Sequence, residues 1–188
     1  MKPKPKFDYP IIELLQERWS PRAFSDQPLT EEQVLTLFEA ARWAASANNE
    51  QPWRFIWSLK DGSEKYQKLL DCLKPSNREW ADKAPFLMLT LVRTTYSTGE
   101  KNKWARHDLG LAIGNLTAQA TAMGLYVHNM GGFLADKVSE HFNLLDDIKP
   151  VTMVVIGYIG EISSLSEYNQ KREMEPRTRK PLDELFLV

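Results

Sequence analysis

The chain has 188 residues, 43% of them hydrophobic, with 24 basic and 25 acidic side chains and a formal net charge of -1. That length suits one domain with a sizeable core, and the balanced charge argues against a general nucleic-acid binder, which needs a basic face. A single cysteine, Cys72, rules out a disulfide framework within the chain.

The opening stretch "MKPKPKFDYP" has lysines and prolines but no apolar run behind them, so it does not read as a signal peptide. Residues 1–9 are expected to form a flexible arm. Pro10 can open a helix, where a missing N–H costs nothing. Ile11, Ile12, Leu14 and Leu15 give that helix an apolar face, and Pro21 ends it. Thr30-Glu31-Glu32-Gln33 spells a capping box. Behind it, Val34, Leu35, Leu37, Phe38 and Ala41 recur at helical spacing.

"WRFIWSL", residues 53–59, reads as a strand stopped by Lys60-Asp61-Gly62-Ser63, and a polar helix then runs to about Leu73. Cys72 falls in that helix and reads as a buried, chemically quiet thiol. "APFLMLTLV", residues 84–92, is a second strand. Residues 104–123 carry the longest helical pattern, with Gly110 and Gly114 allowing close approach to a neighbouring helix. "GLYVHNMGGF", residues 124–133, reads as a short strand entering a glycine turn, and a helix is expected over 134–142. Residues 151–160, "VTMVVIGYIG", form a buried strand by their β-branched content. From Glu161 the tail is polar, irregular and expected to be an extended arm over 161–188. Strands alternating with longer helices predict a mixed α/β chain with a central sheet, in a single domain over 1–188. The apolar runs are too short to cross a bilayer, and a cytoplasmic protein is the expectation.

Several familiar sites are not spelled here. No G-x-G-x-x-G follows a strand, Gly110-x-x-x-Gly114 leads to no Lys-Ser/Thr pair, and there is no G-x-S-x-G elbow. His107, His128 and His141 are not spaced as metal ligands with one another or with Cys72. His128 stands beside the glycine turn and has the better claim to a role.

Four polar segments remain. In "ERWSPRAF", Arg18 and Arg22 flank Ser20; guanidinium forks fit phosphate oxygens and a hydroxyl adds a third bond. The alternative is a solvated pair capping helix carbonyls. Near the other terminus, "EPRTRKPLDEL" holds Arg177, Arg179 and Lys180, either a basic tail or a second half of the same anion site. "ASANNEQPWRF" sets Ser46, Asn48, Asn49 and Gln51 between a helix and a strand; their amides suit a heterocycle edge, or an ordinary turn. "NMGGF", Asn129 to Phe133, lets backbone lie flat against a planar ligand, or simply turns.

Together these segments resemble the nitroreductase family of FMN-dependent oxidoreductases. The resemblance rests on Arg18-Trp19-Ser20-Pro21-Arg22, on Ser46 through Gln51-Pro52-Trp53, on Gly124-Leu125 leading to Gly131-Gly132-Phe133, and on Arg179-Lys180-Pro181-Leu182. It spans about residues 11–185. The resemblance implies the nitroreductase-like α+β fold, a mixed central β-sheet surrounded by helices, and a homodimer whose C-terminal segment reaches over the partner. Arg18, Trp19, Ser20 and Arg22, with Arg177 and Arg179, would hold the FMN phosphate, ribityl chain and pyrimidine end. Ser46, Ala47 and Asn49 would reach the flavin from the partner subunit, and Gln51 is a further cofactor-binding candidate. Asn129, Gly131 and Gly132 would line the isoalloxazine near N5. Asn77 and Arg78 are candidates for a further contact, and residues 96–104 for a wall of the acceptor pocket. The implied activity is ping-pong hydride transfer from NADH or NADPH to a small aromatic acceptor such as a nitro compound or quinone, with no dedicated catalytic side chain. A relative with dehalogenating or flavin-cleaving chemistry, a flavin-binding module without turnover, and an anion-binding protein without flavin remain open.

Overall fold

The protein is described as a computed structural model covering Lys2 and residues 4–187. Its elements, in chain order, are α1 (Glu13–Glu17), α2 (Glu31–Arg42), β1 (Trp53–Leu59), α3 (Glu64–Asp71), α4 (Pro75–Ala81), β2 (Phe86–Arg93), α5 (Ala105–Ala122), β3 (Tyr126–Met130), α6 (Ala135–His141), β4 (Ile148–Gly157) and α7 (Glu167–Met174). Single 3-10 turns occupy Ala47–Asn49, Ile162–Ser164 and Leu182–Leu185.

β2 is buried from Phe86 to Val92, which requires cover on both faces. The sheet order β1-β2-β4-β3 places it inside. On one face Leu87, Leu89, Met153 and Val155 meet Leu69 and Leu70 of α3, Trp80 of α4 and Val138 of α6. On the other, Phe86, Met88, Val154 and Ile156 meet Val34 and Leu37 of α2 and Leu109, Ala112 and Leu116 of α5. The chain is therefore three layers, helix–sheet–helix. Thr30 closes α2 with the full capping box: its Oγ1 accepts from Gln33 N, and Gln33 Oε1 accepts from Thr30 N. Such a cap contributes about 1 kcal/mol.

The expected mixed sheet is not found among the described strands, where every pairing is antiparallel. The alternation of strand and helix does produce one crossover: α5 carries the chain from β2 to β3, and both of these run antiparallel to β4. They are thus parallel to each other, but β4 is inserted between them. The excursion through α3 and α4 leaves and re-enters at one sheet end, where Lys60 N donates to Pro85 O at 2.8 Å, so β1 and β2 also oppose.

Three more expectations change. α1 does not begin at Pro10 or run to Pro21; Ile12 is its N-cap and Arg18 its C-cap. Its apolar face is mostly outside, with Ile12 64% and Leu15 51% exposed. Gly110 and Gly114 have no neighbour within 4 Å of a built Cβ among the described residues, so no helix of the same chain uses them. The tail is not an extended arm from 161 onward. It forms α7, whose inward-facing residues are polar: Asn169 and Glu173, 3% and 1% exposed. A helix that buries polar side chains four apart has no apolar stripe by which to be found. Residues 178–187 all lie on the surface.

The segment after α1 crosses the end of β4. Phe24 pairs with Ile159, Gly160 N donates to Ala23 O at 2.8 Å, and Ser25 N donates to Tyr158 O at 3.0 Å. A Cβ on Gly160 would lie 2.4 Å from the Phe24 carbonyl carbon and oxygen, so only glycine allows the two backbones this close. Gly160→Ala is expected to cost about 2–3 kcal/mol of unfolding free energy, read by urea denaturation, because a backbone atom cannot swing aside as a side chain does.

Candidate functional site

The Trp19–Ser25 segment is held by contacts from three distant parts of the chain. Arg177 Nη1 donates to Gln16 O at 2.8 Å and Arg18 O at 3.1 Å, capping the end of α1. His128 Nδ1 lies 2.7 Å from Pro21 O. The Glu173 carboxylate accepts from Arg22 N at 3.0 and 3.1 Å and from Ala23 N at 3.3 Å. Trp19 is buried edge-on against Tyr126, ring centroids 5.9 Å apart, so its side chain packs the segment down. Both chain ends therefore meet here, and the helix-capping role weighed for the Arg18–Arg22 pair falls instead to Arg177.

Two cationic groups result. Half-buried Arg18 sits with Arg177 and Arg179. Burial and then the nearby Arg179 and Arg177 charges push its guanidinium below the ordinary arginine value. Arg18 Nη1 also reaches exposed Ser20 Oγ at 3.5 Å. None of the three arginines pairs with a carboxylate among the described residues, and Arg177 Nε is buried without a partner. Among the described residues the Arg179 side chain donates only to the adjacent Thr178 O. Clustered guanidinium groups with no acidic partner fit a polyanionic group such as a phosphate.

Arg22 belongs to a different neighbourhood. Its guanidinium lies 5.9 Å from the Trp80 ring of α4, and burial followed by the Arg172 charge lowers its pKa. Trp80 in turn packs against the His128 ring of β3, centroids 4.5 Å apart and planes tilted by 36°. The same α4–β3 junction carries the glycine turn: Asn77 Nδ2 donates to Gly132 O at 3.0 Å, and Leu134 N to Cys72 O. Gly131 and Asn129 are exposed, Asn129 on the edge strand β3. Asn77 thus joins the group through its contact with Gly132, whereas Arg78 is taken up by Asp71 at 2.7 Å.

The third segment is strained. Asn48, Asn49 and Gln51 all adopt positive φ, at 53°, 57° and 49°. Non-glycine residues there cost on the order of 1–3 kcal/mol each. Ala47 N donates to Asp108 Oδ2 at 3.1 Å, Gln51 N to Ser46 Oγ at 3.0 Å, and Gln51 Nε2 to Asn49 O at 3.0 Å. Glu50 accepts from Ser97 N and Oγ at 3.1 and 2.8 Å, tying the loop to the turn between β2 and α5. Within one chain Ala47 is tied to α5 and Glu50 to that turn, while Ser46, Asn49 and Gln51 bond to one another; none of these bonds involves Arg18, Arg22, Arg177 or Arg179.

Sequence reasoning passed over Asp108, Asn169, Arg172 and Glu173. The signals for α7 were Ser166 before Glu167, with Lys171 and Arg172 in the last turn. Cys72 is quiet: buried, its thiol faces Lys68 O at 3.2 Å and its pKa is pushed up to about 11. Among the described residues, no cluster of His, Cys, Asp and Glu could hold a metal ion, and no helix is long and apolar enough to cross a membrane.

Known proteins share this frame. A model of the Nitroreductase family matches residues 15–158. An uncharacterized 15.4 kDa protein of Mycolicibacterium smegmatis is 30% identical across 70% of this chain and 92% of its own. A Ralstonia nicotianae protein provisionally named NADH dehydrogenase/NAD(P)H nitroreductase is 26% identical across 90% of this chain and 95% of its own. A crystal structure described as an oxidoreductase containing FMN superposes with a TM-score of 0.91 at 34% identity, covering 97% of this chain and 93% of that one. A nitroreductase family protein of Streptococcus pneumoniae shares the fold, with a TM-score of 0.73 at 22% identity over 94% and 98% of the two chains.

His128 makes the segment acid-sensitive. The Pro21 carbonyl can only accept, so the neutral imidazole carries its proton on Nδ1. Burial lowers the His128 pKa from 6.5 to about 4, with Arg22 and Arg172 adding to the effect against the Pro21 bond. The unfolded chain then binds the proton more readily than the folded one. The contribution is fully present above pH 6.5 and lost as pH falls from 6.5 towards 4, by at most about 3 kcal/mol. Denaturation at stepped pH should show this acid limb, and His128→Gln, which keeps a donor but does not titrate, should flatten it.

Proposed function

The chain belongs to the nitroreductase family, and from that premise we propose that it is an FMN-dependent oxidoreductase carrying hydride from NADH or NADPH to a small aromatic acceptor, a nitro compound or a quinone. The observation that carries the proposal is the cluster of Arg18, Arg177 and Arg179, none with a carboxylate partner among the described residues and with Arg177 Nε buried and lacking a hydrogen-bond partner there. The FMN-containing neighbour and the name of the Ralstonia relative support it.

FMN, when bound, supplies the two-electron carrier at N5; the chain's residues supply position and charge. Arg18, Arg177, Arg179 and the Ser20 hydroxyl take the phosphate and ribityl end. Arg22, backed by Trp80, faces the pyrimidine end with a positive charge. The Gly131-Gly132 turn, braced by Asn77, would offer the ring open backbone at Gly131, with the Lys74 side chain packed beside Gly132. His128 is neutral near pH 7 and its Nδ1–H is spent on Pro21, so it is not the proton donor. Proton transfer falls to solvent or to the acceptor's own groups.

The proposed assembly is a homodimer in the cytoplasm. One face of α5 exposes Trp104, His107, Gly110, Leu111 and Gly114, and small residues there permit close backbone approach. Leu14, Trp43 and Ala118 line a neighbouring hollow of about 330 Å³. Pairing through this surface would bury the exposed apolar residues of α1 and α5. It would also give the strained Ser46–Gln51 loop a partner's cofactor to contact, with residues 178–187 as the segment able to reach across.

Purified protein should be yellow, release FMN on denaturation and be bleached anaerobically by NADH or NADPH, then regain colour with a nitroaromatic or quinone. Colourless protein that takes up no added FMN would refute the proposal, and yellow protein that neither nucleotide bleaches would favour a binding module. Arg18→Ala and Arg22→Ala are each expected to weaken FMN binding by roughly 1.5–3 kcal/mol, measured by fluorescence titration. An unchanged Kd removes that arginine from the cofactor site.

A further inference from the structure

We propose that Glu173 is a positioning residue of the cofactor site: its buried carboxylate fixes the backbone at Arg22 and Ala23 and so aims the Arg22 side chain at the FMN. The inference rests on FMN being the ligand of this segment.

Glu173 is 1% exposed, and no Lys, Arg or His lies within ion-pair distance of it among the described residues. Its partners are the Arg22 and Ala23 amides, at 3.0, 3.1 and 3.3 Å. Burying a carboxylate costs several kcal/mol, and where space-filling alone is needed an apolar side chain serves as well. The arrangement has a geometric consequence. In an extended chain successive N–H groups point to opposite sides; two of them meet one acceptor only where the backbone bends. The carboxylate therefore selects a bend at Arg22, one residue before Phe24 joins β4's continuation.

The surrounding bonds define the same segment group by group. Arg18 O is held by Arg177, Pro21 O by His128, Arg22 N and Ala23 N by Glu173, and Ala23 O by Gly160 N. Trp19 N, Ser20 N and Ser20 O have no partner among the described residues, which leaves the backbone on either side of the Ser20 hydroxyl open to a ligand. The Arg22 guanidinium leaves the fixed bend to lie over Trp80. Arg172, next in sequence to Glu173, adds a second positive charge beside it, and the Glu173 carboxylate offsets the crowding of these cations.

The test compares parent, Glu173→Gln and Glu173→Ala in amide hydrogen exchange of the apo-protein and in FMN titration. Glu173→Ala should lose protection at amides 22 and 23 and bind FMN about tenfold or more weakly, the scale of lost charge-assisted bonds. Glu173→Gln keeps a carbonyl acceptor, folds if the alanine variant does not, and should fall in between. Because Glu173 acts through Arg22, Glu173→Gln combined with Arg22→Ala should bind FMN little more weakly than Arg22→Ala alone. Fully additive losses, unchanged amide protection, or parent-like Kd with only a lowered melting temperature would each overturn the positioning role. A parent that binds no FMN refutes the cofactor reading itself, and the positioning role with it.

Discussion

The structure turns on a carboxylate from one end of the chain that binds two backbone amides from the other. Glu173 on α7 holds Arg22 and Ala23 across 151 and 150 residues of sequence. Hydrogen bonds to an ionised acceptor are roughly twice as strong as neutral ones, which offsets part of the burial cost. Once that bond is made, much of the rest follows. The Trp19–Ser25 segment must cross the end of β4, so position 160 must be glycine. The chain beyond α7 must pass α1, which brings Arg177 to its final carbonyls and Arg179 beside Arg18. Ser20 is left on the surface between them.

Two separate parts of the chain are unfavourable in isolation. Arg18, Arg177 and Arg179 crowd without acidic partners among the described residues, and three non-glycine residues hold positive φ in the Ser46–Gln51 loop. Proteins retain such features where a ligand or partner relieves them. The exposed apolar surface of α1 and the small-residue face of α5 are unsatisfied in the same sense. The strain, the clustered charge and the bare apolar surface lie on outward-facing groups, while α5 and the other helices bury their opposite faces against the sheet.

Much of this was legible in the sequence, and the reasons differ by element. "WRFIWSL" has the bounds of β1, because a turn sequence follows it directly. The Thr30 box named the start of α2, because two reciprocal side-chain bonds need those residues at that spacing. Sheet direction was not legible, since inserting β4 between β2 and β3 depends on which edge is free once α5 has crossed. α7 was hidden because it buries Asn169 and Glu173 in place of an apolar stripe. For the candidate site, residue types singled out the segments, but which of them lie together depended on the fold. Arg18 and Arg22 look like one clamp in sequence, yet lie in separate neighbourhoods, one with Arg177 and Arg179, the other with Trp80 and Arg172. Trp19, which shares their motif, turns inward to pack.

The central claim is that arginines from both ends of the chain form one phosphate seat. It is tested most directly by titrating the apo-protein with FMN and with riboflavin, which has the same ring and ribityl chain but no phosphate. Three guanidinium groups acting on a phosphate predict that FMN binds at least ~100-fold more tightly, a gap that shrinks as salt is raised. Equal affinities for the two flavins would contradict the account, since the Arg18, Arg177 and Arg179 cluster would then be holding nothing that FMN alone carries.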